Sequence, residues 1–235
     1  MAKAATKSKI THAKQDIISF YMNYCLEHEK TPRSVFKFCK ALEIEESAFY
    51  AHFASLEALS ASVWLAFHEN TIETLAKDKQ YENYDRRAQL LSYYFAFFEL
   101  LTLNRSYVLF SLKETSGVES LKKLAVLSEL RKGFLAFIKP FITAGNEEKK
   151  YSFTKFNEGI FSEAAWAQFL FLLKFYLEDR SPAFEKTDIA IEKSVNTVFD
   201  LFDNTPLENV LDFGKFLAKE VFSKWRHSIL YPPRN

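Results

Sequence analysis

The sequence predicts an all-α protein, and three observations carry that prediction. Apolar residues recur at three- and four-residue spacing through most of the chain. Only five glycines interrupt 235 residues, which leaves little of the turn chemistry that a set of short strands needs. An apolar fraction of 48%, much of it aromatic, gives helices a sizeable core to close on. The length suits a small domain joined to a larger one. A net charge of +1 leaves any affinity for nucleic acid to a local patch.

The chain opens on a polar stretch with Lys3, Lys7 and Lys9 and no secretory pattern. Thr11 is placed to cap a first helix in which Ile17, Tyr21, Tyr24, Cys25 and His28 share a face. Pro32 ends it, because the residue before a proline is pushed out of helical geometry. A second helix over 34–42 turns Val35, Phe38, Cys39 and Leu42 inward and Lys37 and Lys40 outward. Glu43-Ile44-Glu45 is then a tight turn, and a third helix runs over 46–53. Ser55 caps a fourth helix carrying Leu59, Val63 and Phe67. Two short helices around a tight turn are a helix-turn-helix, whose second helix conventionally enters the DNA major groove. The expected division is therefore a basic arm and helix-turn-helix domain over 1–54 and a larger helical domain over 55–235, for which ligand binding and dimerisation are expected on the aromatic content and family resemblance given below.

In the larger domain, 86–103 is a helix with an aromatic face of Leu90, Tyr94, Phe97, Phe98 and Leu101. A further helix fits 117–138 and stops near Pro140, and 143–151 reads as a loop. Residues 158–177 are apolar nearly all round, as in a helix buried on more than one side. Two more helices are expected over 186–202 and 207–225. In the last, Leu207, Val210, Leu211, Leu217 and Val221 oppose Lys215, Lys219 and Lys224, a face for the chain's own bundle or for an anionic membrane surface. The most apolar run, 164–173, falls short of the roughly 20 residues that span a bilayer, so no transmembrane segment is expected. Cys25 and Cys39 read as buried thiols in a reducing cytoplasm.

Catalytic chemistry finds no foothold. There is no Gly-rich phosphate loop, no His-Glu-x-x-His pair and no paired-cysteine metal site, and the five histidines are scattered. Neither an enzyme nor a cofactor or metal is expected. Tyr94, Phe97, Phe98, Phe110, Phe134 and Phe137 have two readings: a filled core, or the lining of an apolar pocket for a hydrophobic small molecule or lipid.

The residues of the head carry a resemblance. Over 11–63, helix order, turn length, the Tyr-x-His-Phe sequence at Tyr50, His52 and Phe53, and Ser55, Glu57 and Leu59 resemble the tetracycline-repressor (TetR) family of bacterial regulators. The resemblance implies a cytoplasmic homodimer joined through late helices, here about 158–202, that binds operator DNA and is released by an effector. It implies phosphate contacts from Ser34, Lys37, Tyr50 and His52, with Glu46 and Ser47 at the start of the recognition helix. A glutamate there suits a cytosine amino group. The sequence departs from the family pattern at Glu43, where glycine is usual, and at Leu56, where a phosphate-binding lysine is usual. Glu45 and Glu46 add negative charge to a surface meant for a polyanion.

A second, shorter likeness lies at Asp179-x-Ser181-Pro182-x-Phe184-Glu185-x-Thr187, which is similar to a segment of the lipid-binding proteins of coenzyme Q biosynthesis. Those proteins share the fold without acting as repressors. The alternative this implies is a lipid-binding or adaptor protein with a vestigial helix-turn-helix. Part of the pattern is ordinary helix-start chemistry.

Overall fold

The computed structural model describes residues 14–112, 125–147 and 158–204. Every regular element among them is helical. The chain forms two compact units, Met1–Val63 and Trp64–Asn235.

The first unit holds α1 (Lys14–His28), α2 (Val35–Leu42), α3 (Glu46–Tyr50) and the opening turns of α4 (Leu56–Ala76). Phe38 sits at its centre. Phe20, Tyr21, Tyr24 and Phe49 meet its ring edge-on at centroid distances of 5.6, 5.9, 6.1 and 6.0 Å. Edge-to-face contacts of this kind add to the burial of the rings themselves. Ile17, Ile18 and Cys25 complete the α1 face, and Leu59 and Val63 are buried as well. The unit thus runs into α4, beyond the boundary after residue 54 expected from the sequence, because two turns of α4 contribute to the first core. Burial pushes the Cys25 thiol up to about 11 and also raises Cys39, so neither is a thiolate at neutral pH.

Local chemistry sets the ends. Ser34 Oγ accepts from the Lys37 amide at 3.3 Å, and Ser55 Oγ from the Ala58 amide at 3.2 Å, so both helices carry side-chain caps. Glu43 closes α2 in the left-handed region at φ 59°. The third helix is shorter than its sequence suggests: α3 ends at Tyr50, and the chain tightens so that the His52 and Phe53 amides both donate to Phe49 O. The Thr11 cap and the basic residues 3–9 lie outside the described residues.

The second unit contains the rest of α4, then α5 (Arg86–Leu103), α6 (Arg105–Ser111), α7 (Ser128–Glu147), α8 (Glu158–Glu178) and α9 (Glu185–Asn204). Single 3-10 turns occur at Tyr81–Asn83 and Pro182–Phe184. α7 packs on α8, and α9 packs on both α5 and α8. Two expectations need correction. α7 does not stop near Pro140 but runs through it, and the stretch read as a loop is helical as far as Glu147. Pro140 and Ala136 are both exposed. Solvent can therefore take the Ala136 carbonyl that the proline leaves without a donor. Phe137 and Phe141, rings 5.1 Å apart, pack together on either side of the proline.

Gly133 explains another feature of α7. A Cβ there would lie 2.9 Å from His68 Cδ2 and 3.1 Å from Leu65 Cδ1, so the glycine permits the close approach of α4. The short helix α6 was not foreseen. Asn104 separates it from α5, its amide turned back onto the Leu100 carbonyl at 2.9 Å. α8, at 21 residues, is the one helix among those described that is long and apolar enough to cross a membrane by length and composition. Phe161, Trp166, Phe169, Leu172, Leu173 and Tyr176 on it are nevertheless buried within the bundle. The segment 207–225 lies outside the described residues.

Candidate functional site

The helix-turn-helix places its polar residues outward. Lys37, Ser47, Tyr50 and His52 are exposed, Tyr50 to 53%, while Ser34 and Glu46 are half-buried. Their positions follow from what is buried beside them: Phe38 and Cys39 anchor α2, and Phe49 anchors α3. The Ser34 oxygen is occupied as a helix cap, which leaves its hydroxyl proton free to donate outward. Arg33, Lys37 and Lys40 make the α2 side cationic, and exposed Glu43 and Glu45 make the turn anionic. Leu56 is half-buried. Sequence reasoning passed over Phe36, which is 61% exposed on α2 between half-buried Val35 and exposed Lys37.

In the second unit the aromatic rings gather around Phe169. Its centroid lies 5.0 Å from Phe134, 5.1 Å from the stacked Trp166, 5.3 Å from Phe97, 6.3 Å from Tyr94 and 6.4 Å from Phe98. Four of the six residues expected to line a pocket, Tyr94, Phe97, Phe98 and Phe134, are thus buried together. Phe137 is half-buried at the margin, stacked on Tyr93 at 4.4 Å. Phe110 stands apart on α6 and meets Tyr107 instead. Tyr93, Trp166 and Phe169 were missed. The signal for the last two was present in α8, whose all-round apolar character gives no direction in which to place a ring.

Two polar features enter this cluster from α4 and α5. His68 Nδ1 and the Tyr93 hydroxyl share a hydrogen bond of 2.8 Å, and burial lowers His68 to about 4, so the imidazole is neutral at physiological pH. Burial also raises the Tyr93 and Tyr94 phenols far above their usual range.

At the α8–α9 corner the Asp-x-Ser-Pro-x-Phe-Glu-x-Thr residues act on one another. Asp179 Oδ1 accepts from the Ser181 amide at 2.8 Å and the Ser181 hydroxyl at 2.7 Å. Its Oδ2 accepts from the Thr187 amide at 2.9 Å and the Thr187 hydroxyl at 2.7 Å. Burial opposes the charge, but these four bonds outweigh it and hold the carboxyl at about 2. Ala183 and Phe184 follow in left-handed geometry, at φ 51° and 59°. Arg105 lies over the Phe184 ring at 4.3 Å and the Tyr176 ring at 4.6 Å, and donates to the Tyr176 and Leu177 carbonyls at 3.4 and 3.5 Å. An open cleft of about 530 Å³ at this corner is lined by residues including Phe175, Glu178, Arg180 and Lys186.

Large apolar side chains stay exposed on the late helices: Ile160 and Phe171 on α8 and Ile189 on α9. Among the described residues, no group of three His, Cys, Asp or Glu side chains is placed to hold a metal.

A compact helix-turn-helix unit is followed in the chain by an aromatic helical bundle. The family model of the tetracyclin repressor-like C-terminal domain matches residues 89–217, more than half of the chain, and the chain belongs to this family. That match lies in the bundle, whereas the residues that first suggested the family lie in the head, so the two indications are separate. No curated protein and no solved structure matches the chain.

Proposed function

We propose that this TetR-type regulator is a cytoplasmic homodimeric repressor that holds operator DNA through its head and releases it when an apolar effector enters the bundle. The observation that carries the reading is the outward set of Lys37, Ser47, Tyr50 and His52, with Ser34 beside it, on a unit whose own aromatic core fixes their backbone. Lys37, Ser34, Tyr50 and His52 serve the phosphates, and Glu46 and Ser47 face base edges. The exposed Ile160, Phe171 and Ile189 mark the faces of α8 and α9 on which a second copy seats, giving a twofold pair of heads. The effector is received by the cluster of Tyr94, Phe97, Phe98 and Phe134, with Phe137 at its margin and Phe110 farther out on α6.

Binding to the DNA upstream of its own coding sequence, measured over a salt series, tests this. Affinity should exceed that for random DNA, and Lys37→Ala should weaken binding while reducing the salt slope by about one. A second reading is favoured by one observation: Glu43 and Glu45 are exposed at the turn, where a polyanion would have to approach. In that case the head is vestigial and the chain handles lipid. Equal binding to random DNA, unchanged by Lys37→Ala or Tyr50→Ala, would favour it. So would co-purifying lipid and liposome binding lost on removal of residues 206–235.

A further inference from the structure

Buried polar groups in the bundle nearly all have partners. His68 and Tyr93 share one bond, Thr71 Oγ1 donates to the Phe67 carbonyl at 2.8 Å, and Thr102 Oγ1 reaches the Tyr176 hydroxyl at 3.4 Å. Two groups do not. The Trp64 indole Nε1 and the Tyr94 hydroxyl are both shut off from solvent and have no hydrogen-bond partner. A polar atom taken out of water and left unpaired forfeits its hydration for no return, so folded chains keep few of them. The indole N–H is only a donor, so what it lacks is an acceptor; a phenol can donate as well.

The surroundings of Tyr94 narrow the chemistry further. The rings of Tyr93, Phe98, Phe134 and Phe169 surround it at 5.7 to 6.4 Å. None carries a charge. The nearby His68 has its Nδ1 engaged with Tyr93, and burial keeps the ring neutral. A carboxylate brought here would be buried without a counter-charge, which is costly, and a plain hydrocarbon would leave the hydroxyl as unpaired as before. A neutral oxygen acceptor on an apolar body meets both conditions.

We propose that the effector of this bundle is a neutral apolar molecule bearing a hydrogen-bond acceptor, such as a ketone, ester or ether oxygen, and that the Tyr94 hydroxyl donates to that oxygen. The proposal rests on the effector reading above and specifies the chemistry that reading leaves open.

Three probes of similar size and shape test it on the full chain by titration calorimetry: acetophenone, a neutral acceptor; cumene, which has none; and benzoate, an anion. Acetophenone should bind about five- to tenfold more tightly than cumene, the value of one neutral hydrogen bond, and benzoate should bind most weakly. Tyr94→Phe should abolish the preference for acetophenone and leave cumene binding within about twofold. Free of ligand, Tyr94→Phe should melt no lower than the parent, because the hydroxyl removed had no partner; a fall of several degrees would show that it has one and overturn the proposal. Equal affinity for acetophenone and cumene, a preference that survives Tyr94→Phe, or benzoate binding as tightly as acetophenone would also overturn it, with the effector reading still standing. If the folded protein takes up none of the three, the effector reading falls too.

Discussion

Among the described residues the backbone turns left-handed without glycine at Glu29, at Glu43 and at Ala183–Phe184, and the last two of these corners bear the strain differently. In the head, Glu43 closes α2 at φ 59°, held by its own amide on Lys40 O at 3.4 Å and by the Ile44 amide on Cys39 O at 3.0 Å. Its side chain is exposed. In the bundle, Ala183 and Phe184 take consecutive left-handed positions. There, one carboxylate with four hydrogen bonds grips both sides of the bend, and a guanidinium lies against the Phe184 ring. A non-glycine residue in this region costs roughly 1–2 kcal/mol. Local backbone bonds meet that cost at Glu43, whereas side chains from three helices meet it at 183–184. Strain persists where its surroundings over-determine it, and only the second corner is over-determined in that sense.

The largest effect should come from removing the carboxylate. Asp179→Ala leaves the Ser181 and Thr187 donors without their acceptor and should lower stability by roughly 2–3 kcal/mol in urea unfolding. The pH dependence has a definite sign. The Asp179 pKa is lowered from 3.8 to about 2, so its contribution is complete above about pH 4 and is lost as the pH falls through 2. The stability gap between the parent and Asp179→Asn should therefore narrow over that interval.

Next, the same substitution should act in opposite directions at the two corners. Phe184→Gly relieves the backbone but gives up the contacts with Arg105 and Tyr176, and should cost roughly 1–2 kcal/mol in the same unfolding measurement. Arg105→Lys keeps the charge but loses the flat fork that stacks on two rings and reaches two carbonyls. A cost of about 1 kcal/mol is expected in thermal unfolding. Smallest of all, Glu43→Gly should raise stability by about 0.5 kcal/mol, the left-handed relief less the extra freedom of glycine in the unfolded chain. A loss there instead would place the Glu43 side chain in a supporting role and remove the contrast.

Much of the fold was legible in the sequence because local chemistry specified it. Ser55 caps where its position suggested, Arg86–Leu103 is one helix, and Glu158–Glu178 and Glu185–Asn204 fall close to their apolar runs. What failed were readings that let a local rule overrule its surroundings. Pro140 reads as a stop, but it sits on an exposed face where losing one hydrogen bond is cheap, and the aromatic contacts on either side carry the helix onward. Gly145 reads as part of a loop, yet it lies in α7, with the Arg86 Nη1 atom 2.8 Å from where a Cβ would stand. The candidate sites divide in the same way. Spacing along α5 singled out Tyr94, Phe97 and Phe98, but no spacing reveals that Phe169 is their common neighbour or that Tyr93 turns its hydroxyl to His68.

The amino-acid sequence alone determined the helical class, the succession of the long helices and the outward placement of Lys37 and Lys40 on α2. These follow from interactions between residues a few positions apart, which caps, turns and apolar periodicity record directly. Tertiary structure alone decided that the Asp-x-Ser-Pro pattern closes into a four-bond clasp, that Gly133 is needed for the approach of α4, and that Trp64 and Tyr94 are left without partners. Each of these depends on what a distant segment brings, or fails to bring, to a buried atom. Burial turns that presence or absence into free energy that no local pattern encodes.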